Sequence, residues 1–99
     1  MPAQLSPQEV ARNMTRALEW TSNGSAITRT FKFADFAAAL DFVNNVGAAA
    51  EKANHHPDIV IRWNKVTLTL STHSEGGLTA LDFELASTLD RLALGKANN

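Results

Sequence analysis

Residues 58–70 read DIVIRWNKVTLTL, and apolar side chains recur at every second position in each half of this stretch. Period-two alternation rich in β-branched residues is typical of strands with one buried face. The alternating apolar residues are Ile59, Ile61 and Trp63 in the first half and Val66, Leu68 and Leu70 in the second. The stretch therefore predicts a β-hairpin that has its turn at Asn64 and Lys65 and that holds Trp63 inside its first strand.

A second hairpin is predicted nearer the start of the chain. Asn23-Gly24 is a strong turn signal, because both residues tolerate positive φ. Residues 27–33 then alternate like a half-buried strand, and the short piece at residues 20–22 is its predicted partner.

Two helices are predicted from the signals at their starts. Ser6 and Glu9 form the two ends of a capping box, and the apolar spacing that follows extends this first helix to about Glu19. A second helix begins near Asp35 and ends before Pro57, because the residue preceding a proline avoids the α region. Its predicted apolar stripe consists of Phe36, Leu40, Val43, Gly47 and Ala50, with Ala39 and Val46 beside it.

The last helix repeats the capping pattern, with Thr79 at the N-cap and Asp82 three positions further on. Gly95 is predicted to end it. The whole order is α-ββ-α-ββ-α, which predicts an α+β fold in which three helices pack on one face of a four-stranded antiparallel sheet. The 99 residues form one predicted domain, 1–99, with an ordered core at about residues 5–94.

The composition excludes several classes of protein. A formal net charge of -1 offers no basic excess for nucleic acid or an anionic membrane surface. No apolar run reaches the roughly 20 residues that span a bilayer. The absence of cysteine excludes thiolate metal sites and a cysteine nucleophile. Because the first residues do not resemble a signal peptide, the expected location is the cytoplasm.

All three histidines fall in two short segments that the second hairpin brings together. His55 and His56 precede Pro57 at the exit of the second helix, and His73 follows the last strand. Counting back from the hairpin turn puts His73 beside the start of the partner strand, next to the His-His-Pro corner. Glu51 lies one helical turn before His55, so the two share a face if the helix extends that far.

Three interpretations of these histidines are open. They can be solvated residues at the ends of elements. They can hold a metal ion together with Glu51, although adjacent His55 and His56 leave the backbone in different directions, unlike the His-x-x-x-His spacing of zinc-binding helices. They can act as general acids and bases, since imidazole exchanges protons near neutral pH. The sequence holds no phosphate loop, dinucleotide fingerprint or strong nucleophile, so chemistry that needs only proton movement fits it best.

Residues 51–57, EKANHHP, resemble the signature of pterin-4a-carbinolamine dehydratases. In that signature an aromatic residue, a Thr-His pair and an aspartate follow, and Trp63, Thr72-His73 and Asp82 occupy those positions here. The similar flanking segments are residues 27–33, 35–36, 64–66 and 77–79. The resemblance spans about residues 5–94, and its one departure is Trp63, where the family often has tyrosine.

The resemblance implies a substrate, a 4a-hydroxytetrahydropterin, and an elimination of water that uses no metal and no cofactor. It implies that His55 and His56 face the leaving hydroxyl and that His73 is the base or a contact to the pterin edge. The implied substrate-binding or orienting residues are Glu51, Trp63 and Asp82. For Asp82 the helix cap is the expected main role. Members of the family are dimers or tetramers, so a homodimer or homotetramer is expected.

Two roles outside catalysis also stay open for this fold. Dehydratase-like proteins of carboxysome-bearing organisms assist rubisco assembly and lack intact histidine sites. The animal dehydratase also binds a homeodomain transcription factor through a helical surface, which corresponds to residues 81–92 here. The complete set of histidines favours the enzyme, and an exposed leucine stripe at residues 81–92 is more simply an interface between copies of the chain.

Overall fold

The structure is a computed structural model that describes the backbone of residues 2–97 and the side chains of residues 2–94. Three α-helices and one antiparallel sheet follow in the order α-ββ-α-ββ-α, which confirms the predicted α+β fold. The elements are α1 Pro7–Met14, β1 Thr21–Ser22, β2 Ile27–Lys32, α2 Phe36–Ala53, β3 Asp58–Arg62, β4 Lys65–Leu70, a 3-10 turn His73–Glu75 and α3 Ala80–Ala97. Within the described residues, no helix is long and apolar enough to cross a membrane.

The sheet has the strand order β1-β2-β4-β3, so β3 forms one of its edges. Ile27 of β2 pairs with Leu70 of β4, and their buried side chains lie on the face that α2 and α3 cover. The opposite face carries hydroxyl pairs such as Thr28 and Thr69, whose Oγ1 atoms lie 3.2 Å apart. The hydrophobic core therefore lies between the helices and a single face of the sheet.

The buried side of α2 differs from the predicted stripe. Its buried residues are Ala39, Phe42, Val46 and Ala50. Phe36 and Leu40, which the prediction placed in the core, are exposed. The ring of Phe42 packs 4.9 Å from the rings of both Phe31 and Phe33. This aromatic contact orients the helix so that Phe42, which the predicted stripe omitted, faces the sheet.

Two helix ends also differ from the prediction. α1 ends at Met14 and not near Glu19, because the chain continues in tighter turns such as the bond from Ala17 N to Met14 O at 3.1 Å. These turns bury Ala17 in the core. At the other end of the chain, α3 continues through Gly95 to Ala97. A glycine inside a helix costs only about 1 kcal/mol relative to alanine, so it need not end one.

The second hairpin turns one residue earlier than predicted. Arg62 pairs with Lys65, so the two-residue turn is Trp63-Asn64. Asn64 is buried and bonds to Phe33 twice, since Phe33 N donates to Asn64 O and Asn64 Nδ2 donates to Phe33 O, both at 2.8 Å. Trp63 is left 67% exposed with a φ of 52°, in the turn and not in the strand.

Candidate active site

A pocket of about 310 Å³ opens where the corner after α2, the start of β3 and the segment after β4 meet. Its lining includes His56, Asp58, Thr69, Ser71 and His73. The antiparallel register explains this meeting, because Asp58 pairs with Thr69 and the residues flanking that pair converge at one end of the hairpin. The pocket therefore combines two imidazoles with a carboxylate and hydroxyl groups.

The corner between α2 and β3 sends its two histidines in different directions. Asn54 ends α2 in the left-handed conformation with a φ of 49°, and His55 N donates back to Ala50 O at 3.1 Å. A left-handed residue turns the chain away from the helix axis after the last helical turn. As a result, His55 contacts α3, whereas His56 lines the pocket.

His55 is bound to a buried carboxylate. Its Nε2 lies 2.6 Å from Oδ1 of Asp82, and its side chain is only 10% exposed. The remaining exposed part lies in a separate groove between α2 and α3, beside Lys52 and Leu81. The sequence predicted that all three imidazoles lie together, but only those of His56 and His73 line one pocket. His55 is paired with Asp82 and is not among the residues that line it.

Asp82 is fully buried and uses both of its oxygens. Oδ2 accepts from Thr79 N at 2.9 Å, which is the predicted helix cap, and from Oγ1 of Thr72 at 2.8 Å. Oδ1 faces His55. A buried carboxylate requires such donors, because an unsatisfied one is costly away from water. Asp82 thus joins the start of α3 to the corner after α2 and to the segment after β4.

His56 forms a hydrogen bond through Nε2 with Oε2 of Glu51, and both side chains are largely exposed. Helical spacing suggested His55 as the neighbour of Glu51, but α2 ends at Ala53 and the corner turns His55 away. A carboxylate on one ring nitrogen orients an imidazole and leaves the other nitrogen available to a ligand. Glu51 is therefore placed to orient His56.

His73 begins the 3-10 turn after β4, and two backbone bonds close the loop that carries it. Thr72 N donates to Gly77 O at 2.9 Å, and Gly77 N donates to Thr72 O at 3.3 Å. The first residues of the chain pack against this loop. A Cβ atom on Gly77 would lie 2.9 Å from Nε2 of Gln4, so a larger residue there would displace Gln4. The backbone bonds of this loop therefore fix the position of His73.

Trp63 lies apart from this pocket. It occupies the turn at the opposite end of β3 from Asp58. At a rise of roughly 3.4 Å per residue, the two positions are about 17 Å apart along the strand. Within one chain, the structure does not bring Trp63 together with the histidines.

A metal site was one interpretation of the histidines. Among the residues whose side chains are described, no three His, Cys, Asp or Glu side chains are arranged to hold a metal ion. Each of the two adjacent imidazoles is bonded to a different carboxylate, His55 to Asp82 and His56 to Glu51. The two rings therefore do not converge on a common point.

Sequence reasoning missed Thr72 as a separate part of the site. The alternation of β4 continues beyond the strand, so Thr72 follows Leu68 and Leu70 on the core-facing side and is buried. A hydroxyl at such a position needs a hydrogen-bond partner. That requirement is the signal in the sequence that points to Thr72.

Relatives of known sequence cover most of the chain. The family model described as Pterin 4 alpha carbinolamine dehydratase matches residues 3–92. A protein of Roseiflexus castenholzii is 48% identical over 92 residues, which cover 93% of this chain and 99% of the relative. A protein of Nocardia farcinica is 49% identical over 89 residues, which cover 90% and 94%. Both carry the name "Putative pterin-4-alpha-carbinolamine dehydratase".

Solved structures also resemble the chain, and two of them are informative here. A "transcriptional coactivator/pterin dehydratase" from Brucella melitensis has a TM-score of 0.86 and 38% identity, over 91% of this chain and 98% of that one. A pterin dehydratase-like protein, described as a RuBisCO assembly factor in the alpha-carboxysome, has a TM-score of 0.62 and 23% identity, over 75% and 86%. At that lower identity the second likeness shows the fold alone.

Proposed function

The chain belongs to the pterin 4 alpha carbinolamine dehydratase family, and on that basis we propose that it removes water from a 4a-hydroxytetrahydropterin. The observation that carries the proposal is the pocket in which His56 and His73 meet although the sequence separates them. Small-molecule sites typically measure about 300–1,000 Å³. The pocket lies at the lower end of that range, which suits a bicyclic ring.

The proposed reaction is an elimination. The C4a–O bond breaks and the proton on N5 leaves, which gives quinonoid dihydropterin and water. The step needs an acid at the departing hydroxyl and a base at N5, and no electrons pass to a cofactor. It serves tetrahydropterin recycling, in which hydroxylases of aromatic amino acids produce the substrate.

His56 and His73 carry the proton transfers in this proposal. His56 protonates the leaving hydroxyl, and Glu51 orients its ring through the bond at Nε2. His73, in the same pocket, takes the proton from N5 or binds the pterin edge. His55 and Asp82 act through their pairing, which holds the corner that presents His56.

We also propose that the chain forms a homodimer or homotetramer and that β3 is one of the contacts. All five residues of this edge strand are exposed, including Ile59, Val60 and Ile61. An exposed apolar edge is a template for pairing with another strand. Antiparallel pairing of two copies centred on Val60 places Asp58 of one copy opposite Arg62 of the other, so that their charges match.

The same pairing supports Trp63 as a substrate contact. Around that centre, Trp63 of one copy lies opposite Pro57 of the other, next to His56 of that second copy. An exposed indole ring at this position can stack on a bicyclic substrate. In this proposal, Trp63 serves the pocket of a neighbouring copy and not its own.

The other roles considered for this fold have less support. The RuBisCO assembly factor is similar in fold, at 23% identity. The leucine stripe of α3 offers little surface to a partner, because Leu85 and Leu89 are buried in the core and Leu92 packs against it. These leucines are therefore engaged within the chain. A cytoplasmic location stays part of the proposal, in keeping with the cysteine-free sequence.

A dehydration assay tests the proposed function. An aromatic amino acid hydroxylase generates the 4a-hydroxytetrahydropterin in situ, and absorbance follows quinonoid dihydropterin with and without the purified protein. We expect the protein to accelerate the dehydration equally in the presence and absence of a chelator. No acceleration would contradict the proposal, and a rate that the chelator abolishes would favour the metal interpretation.

A further inference from the structure

Asp82 connects two residues that each stand immediately before a histidine of the pocket. His55 precedes His56, and Thr72 precedes His73. Oδ1 of Asp82 lies 2.6 Å from Nε2 of His55, and Oδ2 lies 2.8 Å from Oγ1 of Thr72. The carboxylate therefore bridges the two segments that carry the imidazoles of the pocket.

The hydrogens of this network are ordered in one direction. Leu81 N donates to Oγ1 of Thr79 at 3.2 Å, and that oxygen lies 2.8 Å from Oγ1 of Thr72. Each hydroxyl has a single hydrogen. Because Thr72 donates its hydrogen to Oδ2 of Asp82, the hydrogen shared by the two threonines comes from Thr79. Since Thr79 N donates to the same oxygen, Oδ2 of Asp82 accepts two hydrogen bonds.

The acceptor state of Asp82 determines which nitrogen of His55 carries the proton. When Oδ1 also accepts, the hydrogen of this contact lies on Nε2 of His55. Neutral His55 is then the Nε2–H tautomer. Thr72 is 6% exposed and Asp82 is 0% exposed, so water does not compete for these bonds.

We propose that Thr72 is a positioning residue that acts through Asp82 on His55. The resulting clamp sets the distance between the pocket histidines, His56 and His73. A displacement of about 1 Å in reacting groups can cost on the order of 10²-fold in rate. The expected effect on rate rests on the proposed function, whereas the effect on the ring of His55 does not.

Two variants separate the hydroxyl of Thr72 from its bulk. Thr72→Val removes the hydroxyl at nearly constant volume, and Thr72→Ser keeps it. Nitrogen-15 NMR of the imidazole rings reports the tautomer of His55 without any activity assay. We expect a single Nε2–H tautomer in the wild type and in Thr72→Ser, and a tautomer mixture or displaced ring resonances in Thr72→Val.

Dehydration kinetics supply the second measurement. We expect kcat to fall about 10- to 100-fold in Thr72→Val with little change in KM, and to stay within about twofold in Thr72→Ser. An Nδ1–H tautomer in the wild type would overturn the proposal even if Thr72→Val fails to fold. Unchanged His55 resonances in folded Thr72→Val, or equal losses of kcat in both variants, would also overturn it. If the wild type has no dehydratase activity, the proposed function fails and the NMR result alone decides the role of Thr72.

Discussion

Nε2 of His55 lies 2.6 Å from Oδ1 of Asp82, and this contact joins the exit of α2 to the first turn of α3. A carboxylate without solvent is stable only when donors satisfy it. Asp82 has three hydrogen-bond partners, since Thr72 and Thr79 supply the other two. The residue that caps α3 therefore also fixes the corner that leads into the candidate pocket.

Replacing Asp82 by asparagine should lower the free energy of unfolding by about 1–3 kcal/mol, because the amide nitrogen would face another donor in a buried site. Urea unfolding followed by circular dichroism measures the change. Asp41, an exposed acid of α2, supplies the control. Asp41→Asn should change the free energy by less than about 0.5 kcal/mol. Equal values for the two variants would show that the buried carboxylate adds no stability.

His56→Ala and His73→Ala should each lower kcat for dehydration by about 10²–10⁴-fold, the usual contribution of a general acid or base. Both side chains are exposed, so the free energy of unfolding should stay within about 0.5 kcal/mol of the wild type. Asn44→Ala, on the exposed side of α2, is the matched control and should keep full activity. If both histidine variants are fully active, the acid–base roles proposed above are wrong.

Phe42→Ala should lower the free energy of unfolding by about 3–5 kcal/mol, as is typical when a buried phenylalanine is truncated. The ring is fully buried and contacts Phe31 and Phe33. Phe36→Ala, in the same helix but 47% exposed, should cost less than half as much when both are unfolded in urea at one protein concentration. A larger loss of unfolding free energy in Phe36→Ala than in Phe42→Ala would instead support the apolar stripe predicted from the sequence.

Val60→Lys should weaken self-association by at least about tenfold. Strand pairing centred on residue 60 would set two lysines opposite each other, and like charges in directly opposed positions are destabilising. Sedimentation equilibrium measures the association constant. Leu18→Lys is the control, since Leu18 is an exposed aliphatic residue outside the sheet. A wild-type protein that stays monomeric, or an unchanged constant in Val60→Lys, would remove β3 from the interface.

Glu9 should make the stability of the fold depend on pH in the acidic range. The backbone N–H of Ser6 donates to Oε1 of Glu9 at 2.8 Å, and this bond lowers the pKa of the carboxyl below its ordinary value. Its contribution is fully present above the ordinary glutamate pKa of about 4.3 and is lost as the pH falls through the lowered value. Thermal unfolding at a series of acidic pH values should therefore show a shallower decline for Glu9→Gln than for the wild type. An equal decline of stability with falling pH in both proteins would contradict this role of Glu9.

Short-range signals predicted the elements of the fold but not all of their ends. The capping box of Ser6 and Glu9 is a contact within one helical turn and is present, and the second helix begins directly after Asp35. The first hairpin is confirmed as well, with Gly24 at a φ of 96°. The second turn moved by one residue because Asn64 bonds to Phe33, 31 positions earlier, and no local pattern contains that contact.

The site could be predicted where strand register decides it. Counting along the hairpin predicted that His73 meets the corner after α2, and the pocket contains both His73 and His56. The pairing of His55 with Asp82 could not be predicted in the same way. It depends on the left-handed Asn54, which changes the direction of the chain in a manner that helical spacing does not reveal.

The corner at Asn54 leaves the segment before Pro57 with no spare length, because its two imidazoles point to different parts of the molecule. Deleting one residue before His55 would put Pro57 where the pocket now has His56, and inserting one there would leave the contact with α3 without its imidazole. Among homologous chains, gaps in an alignment should therefore avoid this corner.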